Sequence, residues 1–235
     1  MSGPVPCSTS AATRSDTSPP TGSLPLAFPL VGSGLMSERR MTASERRSQL
    51  LDVAKTVFAE MGYDATTIEE IAARASVSKP VVYGHFGGKE GLYSAVVERE
   101  VARVLAMIAE ALDGSEHPRE LVEGAADAFL RYIEGERDGF RILVRDAPMG
   151  TAKGTLPSVL GVVAERAESI LIDQFEARGF DPKVAPLYSR ALVGMVALVG
   201  QWWLDVGSPA RSLVRAHIVN LAWNGLRGLE QEPAG

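Results

Sequence analysis

Residues 66–92 read TTIEEIAARASVSKPVVYGHFGGKEGL, and this stretch decides the fold. Thr66 and Thr67 are candidate N-caps, because a hydroxyl oxygen can accept a hydrogen bond from a free N–H group of a first helical turn. Ile68, Ile71 and the following alanines recur at helical spacing. The pattern predicts a helix of about two turns.

A second short helix is predicted directly after the first. Ser78 is its candidate cap, and Pro80 falls in the first turn, where a missing N–H does least harm. Gly87 and Gly88 are expected to end it near Phe86. The two short helices are therefore separated only by a tight turn.

Helical periodicity continues on both sides of this pair. Upstream, apolar residues recur from Leu50 to Met61, and Gly62 is expected to stop that helix. Downstream, a long helix is predicted at 89–112. Further helical patterns cover Leu121–Ile133, Phe140 to about Asp146, Val159–Arg178, Val184–Val206 and Leu213–Leu229. No alternating strand pattern is present, so the expected fold class is all-α.

Composition divides the chain and limits its function. Residues 1–37 are rich in Ser, Pro, Thr and Gly and are predicted to form a disordered tail, within which Met36, like Met41 after it, is a possible true start. Cys7 is the single cysteine, which excludes an internal disulfide and favours a reducing, cytoplasmic location. The net charge of −5 argues against a uniformly basic surface. The apolar run Ala191–Leu204 is shorter than the roughly 20 residues of a membrane span.

Two short helices joined by a tight turn, with one helix before and a long one after, match a helix-turn-helix unit. Residues 66–92 closely resemble the signature of the TetR/AcrR family of transcription regulators. The resemblance implies a helix-turn-helix DNA-binding domain at 38–90 and a helical ligand-binding and dimerisation domain at 91–230. It also implies a ligand-responsive homodimer, more often a repressor, that binds a palindromic operator. One departure is Ser76, because the family favours glycine at this left-handed turn position, where serine costs about 1 kcal/mol.

The resemblance and the chemistry of the side chains assign the expected DNA contacts. Hydroxyls at helix N-termini and basic or aromatic donors suit phosphate, whereas the early part of the second short helix faces base edges. The phosphate candidates are Arg46, Arg47, Thr67, Ser78, Tyr83, His85 and Lys89, and the candidates facing base edges are Lys79, Pro80, Val81 and Gly84. Arg39 and Arg40 are an upstream basic pair that either contacts DNA or stays solvated.

The family also implies an effector pocket and a dimer interface in the remaining helices. The helices at 184–206 and 211–229 are expected to pair with their copies, and the effector is expected to be small and largely apolar. The aromatic or flexible residues predicted to line the pocket are Phe129, Tyr132, Phe140, Phe175, Tyr188, Met195 and Trp202.

Two other functions stay open at this point. One is a helical binding module that has lost DNA recognition, which the equal numbers of acidic and basic residues between 37 and 103 would allow. The other is an enzyme that uses an apolar C-terminal cavity. No cofactor or metal is expected: Gly87-Gly88-Lys89 lacks the first glycine of a phosphate-binding loop, and the three histidines lack metal-ligand spacing.

Overall fold

The computed structural model describes residues 41–113, 117–144 and 156–230. Every regular element within these ranges is helical, which confirms the predicted all-α class. The α-helices are α1 Ala43–Ala65, α2 Ile68–Arg74, α3 Lys79–Phe86, α4 Lys89–Asp113, α5 Pro118–Gly135, α6 Arg137–Val144, α7 Leu156–Arg178, α8 Ala185–Val206 and α9 Arg211–Arg227, with a 3₁₀ turn at Pro182–Val184. The predicted tail, with Cys7, Arg39 and Arg40, lies outside the described residues.

Helix α1 is fixed at both ends by local polar contacts. Thr42 and Glu45 form a capping box, in which the Glu45 N–H donates to Thr42 Oγ1 at 3.2 Å and the Thr42 N–H donates to Glu45 Oε2 at 2.7 Å. Gly62 leaves helical geometry at φ 79°, as the sequence predicted, although helical turns resume as far as Ala65. The Thr66 hydroxyl then donates to the Gly62 carbonyl at 2.6 Å.

The turn between α2 and α3 contains a serine in the left-handed region. Ser76 has φ 53°, as expected from its position. Its N–H donates to the Ala73 carbonyl, and the Val77 N–H donates to the Ala72 carbonyl at 2.9 Å. This is the hydrogen-bonding pattern of a Schellman motif, which glycine normally occupies at the left-handed residue. The turn therefore forms despite the side chain.

A single cluster of buried apolar residues runs from α1 to α9. Helix α4 packs against α1 and α3 at one end and against α5 and α7 farther along, and α1 also packs directly on α6. Helix α1 therefore connects the first three helices to the rest of the chain through two contacts, one with α4 and one with α6. Helix α5 packs against α4, α8 and α9.

Several helix boundaries differ from the predicted ones. Helix α5 begins at Pro118 and α7 at Leu156, each three residues before the first apolar residue that the periodicity marked. Proline is well suited to a first turn, so the pattern of apolar residues alone sets the start too late. Helix α9 ends at Arg227, where the N–H of Gly228 bonds to the carbonyls of Asn224 and Gly225.

Helix α8 is apolar on more than one face. Trp203 and Ala197 are buried, whereas Leu198 and Trp202 are exposed. With the 3₁₀ turn before it, the stretch Pro182–Val206 is long and apolar enough to pass a length-and-composition test for a membrane span, which the core helices of many soluble proteins also pass.

Candidate nucleic-acid interface

Helix α3 is anchored by one fully buried side chain, with Val81 and Phe86 packed partly against the core, and presents its other side chains outward. Val82 is fully buried between α2 and α4, while Lys79, Pro80 and Tyr83 are exposed. Gly84 is also exposed, and a Cβ placed there would meet no atom within 4 Å. The structure thus brings four of the predicted contact residues together on one open surface of a short, well-anchored helix.

Two hydroxyls lie at the helix N-termini of this surface, and only one of them caps its helix. The Thr67 hydroxyl oxygen accepts a hydrogen bond from the Glu70 N–H at 3.2 Å, so its own proton remains available for donation. The Ser78 hydroxyl makes no capping bond to α3. Both residues are exposed. Each can donate to a phosphate oxygen beside a helix N-terminus.

Lys79 carries an ion pair that the sequence did not predict. Its Nζ lies 2.5 Å from Glu69 Oε1 on α2, and both side chains are more than half exposed. The hydrogen bond from Lys79 lowers the pKa of the Glu69 carboxyl below its ordinary value. In the DNA-free protein a carboxylate therefore accepts from one donor of the Lys79 ammonium, and it competes with any base or phosphate that binds this cation.

The two arginines of α1 lie beside the same surface. Arg47 donates from Nη1 to the His85 carbonyl at 3.1 Å, and its guanidinium lies 4.4 Å above the centroid of the Phe86 ring. Arg46 donates to the Gln49 side chain at 2.6 Å. His85 is half-buried, with its ring tilted against Phe86. Arg47 is thus fixed next to the end of α3.

Lys89 has a contact that sequence reasoning missed. Its ammonium donates to the carbonyls of Tyr63, Asp64 and Thr66 at 3.0, 3.3 and 3.1 Å, and it lies 4.4 Å from the centroid of the Tyr63 ring. These carbonyls belong to the end of α1, where Gly62 interrupts the regular hydrogen bonding. A cation at a helix C-terminus is favourable. The break at Gly62 was the sequence feature that could have predicted it, because it leaves carbonyls at the end of α1 without helical partners.

A cavity of about 130 Å³ lies between α4, α5, α7, α8 and α9. Gln174 is the one polar residue of its lining, and the rest of the wall is aliphatic apart from Phe129 and Met195. In the described residues, no group of three His, Cys, Asp or Glu side chains is placed to hold a metal. The cavity therefore offers dispersion and apolar burial, with a single amide as a polar contact.

The predicted pocket residues are divided among several places. Phe129 and Met195 line the cavity. Phe175 and Tyr188 pack edge to face with ring centroids 5.4 Å apart, and Trp202 is 52% exposed. The remaining pair is Tyr132 and Phe140, which are buried against each other beside Glu100. Sequence reasoning favoured aromatic residues, whereas the walls are mainly aliphatic side chains of α5, α7 and α8.

A stripe of apolar residues on the outside of α8 and α9 has no partner within the described chain, and we call it the α8–α9 face. It comprises Leu187, Leu198, Trp202 and Val206 of α8 and Leu213 and Leu221 of α9, each at least 47% exposed. On α8, Gly194 lies between Leu187 and Leu198, and a Cβ there would meet no atom within 4 Å. Gly200 does not belong to this stripe, since a Cβ at Gly200 would press on Ile133 and Phe129 of α5.

Known proteins match both halves of the chain. The family described as "Bacterial regulatory proteins, tetR family" matches residues 50–96, and the one described as "Tetracyclin repressor-like, C-terminal domain" matches residues 107–235. The HTH-type transcriptional activator FasR of Mycolicibacterium smegmatis is 33% identical over 192 residues, which cover 80% of this chain and 85% of FasR. The HTH-type transcriptional repressor KstR2 of Mycobacterium tuberculosis is 31% identical over 91 residues, which cover 39% of this chain and 46% of KstR2.

A solved structure agrees with these sequence matches. A TetR-like transcriptional regulator from Rhodococcus sp. RHA1 superposes with a TM-score of 0.69 at 29% identity, covering 81% of this chain and all of that one. The matched proteins are transcription regulators rather than enzymes. With an exposed α3 on a helix-turn-helix unit and both family domains matched in order, the chain belongs to the tetR family and is a DNA-binding transcription regulator.

Proposed function

We propose that this regulator works as a homodimer that reads a palindromic operator through α3 and responds to a small apolar effector. The observation that carries the DNA-reading part is the surface of α3, where Lys79, Pro80, Tyr83 and Gly84 are exposed on a helix anchored by Val82. An α-helix of this kind fits the major groove of B-form DNA. Lys79 would donate to guanine acceptors, and Pro80 and Val81 would contact thymine methyl groups.

The phosphate contacts are assigned to the rim of α3. Thr67 and Ser78 supply hydroxyl donors, and Tyr83 supplies a phenol that is 52% exposed. Arg47 supplies a guanidinium held against Phe86. Arg46 and His85 flank this rim. The direct contact expected of Lys89 would require its ammonium to leave three carbonyls or to reach phosphate while still bound to them.

The dimer proposal rests on the α8–α9 face. Leu187, Leu198 and Trp202 follow one another at helical spacing and are more than half exposed. A contiguous apolar patch in water is unfavourable and marks an interaction surface. Pairing of this face with its copy about a two-fold axis would bury both stripes, and the gap at Gly194 would allow close helix approach. Two α3 helices would then face successive major grooves.

The effector proposal rests on the cavity. Helix α4 contributes Ile108 and Leu112 to its wall and also carries the contacts to α1, so occupancy of the cavity can bias the position of the reading unit. An effector that fills an apolar cavity with one amide would be uncharged over its buried part. It must bind one arrangement of the two reading units better than the other. A cytoplasmic location accords with such a role.

A selection experiment tests the DNA proposal. Purified full-length protein is mixed with sheared genomic DNA of the organism that carries the gene, and retained fragments are sequenced. A recurring palindrome is expected, together with the mass of a dimer in light scattering. Tyr83→Ala should weaken retention of all fragments, and Tyr83→Phe should show how much depends on the hydroxyl. Absence of any recurring sequence would instead indicate a helical module without sequence recognition.

Transcription from a recovered operator decides the direction of regulation. FasR is named an activator and KstR2 a repressor, so relatives act in both directions. We infer repression, as the family resemblance implies. The protein should then lower run-off transcription from a template that carries its palindrome, and an increase would overturn that part of the proposal.

A further inference from the structure

A buried carboxylate lies where the reading unit joins the rest of the protein. Glu100 of α4 has no exposed side-chain surface, and it is the one charged residue among the buried polar residues of the described ranges. Burial of a carboxylate is unfavourable unless cations or donors surround it. Glu100 faces α1 on one side and α5 and α6 on the other.

Three cations and one hydroxyl surround this carboxylate. Lys55 Nζ of α1 lies 3.9 Å from Glu100 Oε1, and Arg99 Nε and Arg103 Nη1 of α4 lie 3.5 and 3.9 Å from Glu100 oxygens. The Tyr132 hydroxyl of α5 donates to Oε2 at 3.1 Å. Glu100 Oε1 accepts no hydrogen bond, and Arg99 Nε and Nη2 donate none. The cluster is held by charge rather than by saturated hydrogen bonding.

Helix α6 closes directly over the same carboxylate. A Cβ at Gly139 would overlap the Glu100 carboxyl group and lie 2.8 Å from the Tyr132 hydroxyl oxygen. Only glycine therefore allows α6 to approach this closely. Burial, followed by the charge of Glu100, raises the pKa of the Tyr132 phenol, which keeps it a neutral donor.

Two further acids extend the cluster across helices. Glu136, at the end of α5, accepts from Lys55 at 2.6 Å and pairs with Arg103 at 2.5 Å. Burial raises the pKa of Glu136, but the hydrogen bond and charge of Lys55, with Arg103, outweigh it and hold that pKa below its ordinary value. Asp52 of α1 pairs with Arg99 at 2.9 Å. The cluster therefore contains three cations and three carboxylates.

The same helices lead from this cluster to the cavity. Tyr132 lies one turn beyond Phe129, which lines the cavity, and both rings pack edge to face on Phe140. On α4, Ile108 of the cavity wall lies eight residues, or about 12 Å, beyond Glu100. A shift of α4 or α5 at the cavity would therefore move the partners of Glu100.

We propose that Glu100 is a positioning residue that fixes the orientation of the reading unit relative to α4 and α6, and so the spacing of half-sites that the dimer accepts. This inference rests on the proposed dimeric operator binding. A buried charge cluster favours one arrangement, because any other arrangement would separate opposite charges in a poorly solvated place. Apolar contacts alone would tolerate sliding of α1 over α6.

The test uses Glu100→Gln, which keeps shape and removes charge, with Glu98→Gln as the matched control on an exposed position of α4. Affinity is measured for the recovered palindrome and for versions with the half-site spacing changed by one base pair. Glu100→Gln should reduce the preference for native spacing about threefold or more. Glu100→Asp, which keeps the charge, should retain most of the preference for native spacing. Amide hydrogen exchange in α1 and α6 should be faster in Glu100→Gln alone.

Three outcomes separate the possibilities. An equal loss of affinity at every spacing would show a merely structural role and overturn the inference, as would spacing preference and exchange identical to the control. Failure of the unmodified protein to bind any duplex would refute the proposed function and with it the half-site part of this inference, while exchange in α1 and α6 would still test whether Glu100 holds these two helices in place. Where Glu100→Gln does not fold, Tyr132→Phe removes only the hydrogen bond at 3.1 Å and should produce the same changes in smaller degree.

Discussion

The surface of α3 and the α8–α9 face are both uncovered by the rest of the described chain, but they consist of different residues. The α3 surface presents an ammonium, a phenol and hydroxyls, and one of its cations already holds an exchangeable carboxylate partner. The α8–α9 face presents Leu187, Leu198 and Trp202, with the exposed Asp205 as a charged neighbour near the end of α8. Charged groups are well solvated without a partner, whereas exposure of apolar groups to water raises the free energy. The first surface suits reversible binding and the second suits a lasting interface.

The largest expected effect comes from placing a charge in the α8–α9 face. Leu198→Glu would bury an unpaired carboxylate in the proposed dimer, so the protein should become a monomer in light scattering. Because a monomer engages one half-site at a time, operator affinity should fall about hundredfold or more. Val162→Glu on α7 is the matched control, since Val162 is 51% exposed and lies outside the face. If both variants remain dimers, this face is not the interface.

Removal of the cation of α3 should have the next largest effect. Lys79→Ala should weaken binding to the preferred palindrome by about tenfold and relax selection at one base position of each half-site. Lys183→Ala removes a cation from an exposed position in the 3₁₀ turn and should change neither quantity. Affinity and base selection of both variants are measured by fluorescence anisotropy with a set of single-base variants of the operator. An equal loss for every sequence would reassign Lys79 to phosphate contact.

Local features of the molecule could be predicted from the sequence. The N-cap positions at Thr67 and Ser78 and the break at Gly62 were predicted, because each depends on backbone geometry within a few residues, and the left-handed Ser76 was expected from the family resemblance. Fold class followed from periodicity in the same way.

Contacts between distant helices could not be predicted in this way. Periodicity shows which face of α5 is apolar, but not that Phe129 reaches the cavity while Tyr132 reaches Glu100. Gly200, on a helix expected to pair with its copy, makes room for Phe129 and Ile133 of its own chain. The long side chain of Lys89 likewise reaches back to the end of α1. Which side chains meet between distant helices depends on three-dimensional packing, which the periodicity of one helix does not contain.

A smaller effect is expected from releasing Lys79 from its carboxylate. Glu69→Gln removes the 2.5 Å ion pair and one negative charge from the α3 surface. Affinity for nonspecific duplex at low salt should rise a few-fold, and the slope of log K against log salt should steepen by up to about one unit. Glu70→Gln removes an equal charge that pairs with Arg74 within α2 instead. Equal changes in both variants would mean that only net charge matters and that the pair with Lys79 does not restrain binding.

The smallest effect should come from the turn that positions α3. Ser76→Gly removes the strain of a left-handed serine, which costs about 1 kcal/mol, but it also raises the conformational entropy of the unfolded chain, which offsets about 0.4–1 kcal/mol of that gain. The free energy of unfolding should therefore rise by less than about 1 kcal/mol, which urea titration can resolve. Ser48→Gly, at an exposed helical position of α1, should lower it instead. Because the hydrogen bonds of Ser76 and Val77 at the end of α2 involve only backbone atoms, operator preference should not change. A changed preference would mean that the serine side chain itself helps to set the angle of α3 and that the turn belongs to the reading surface.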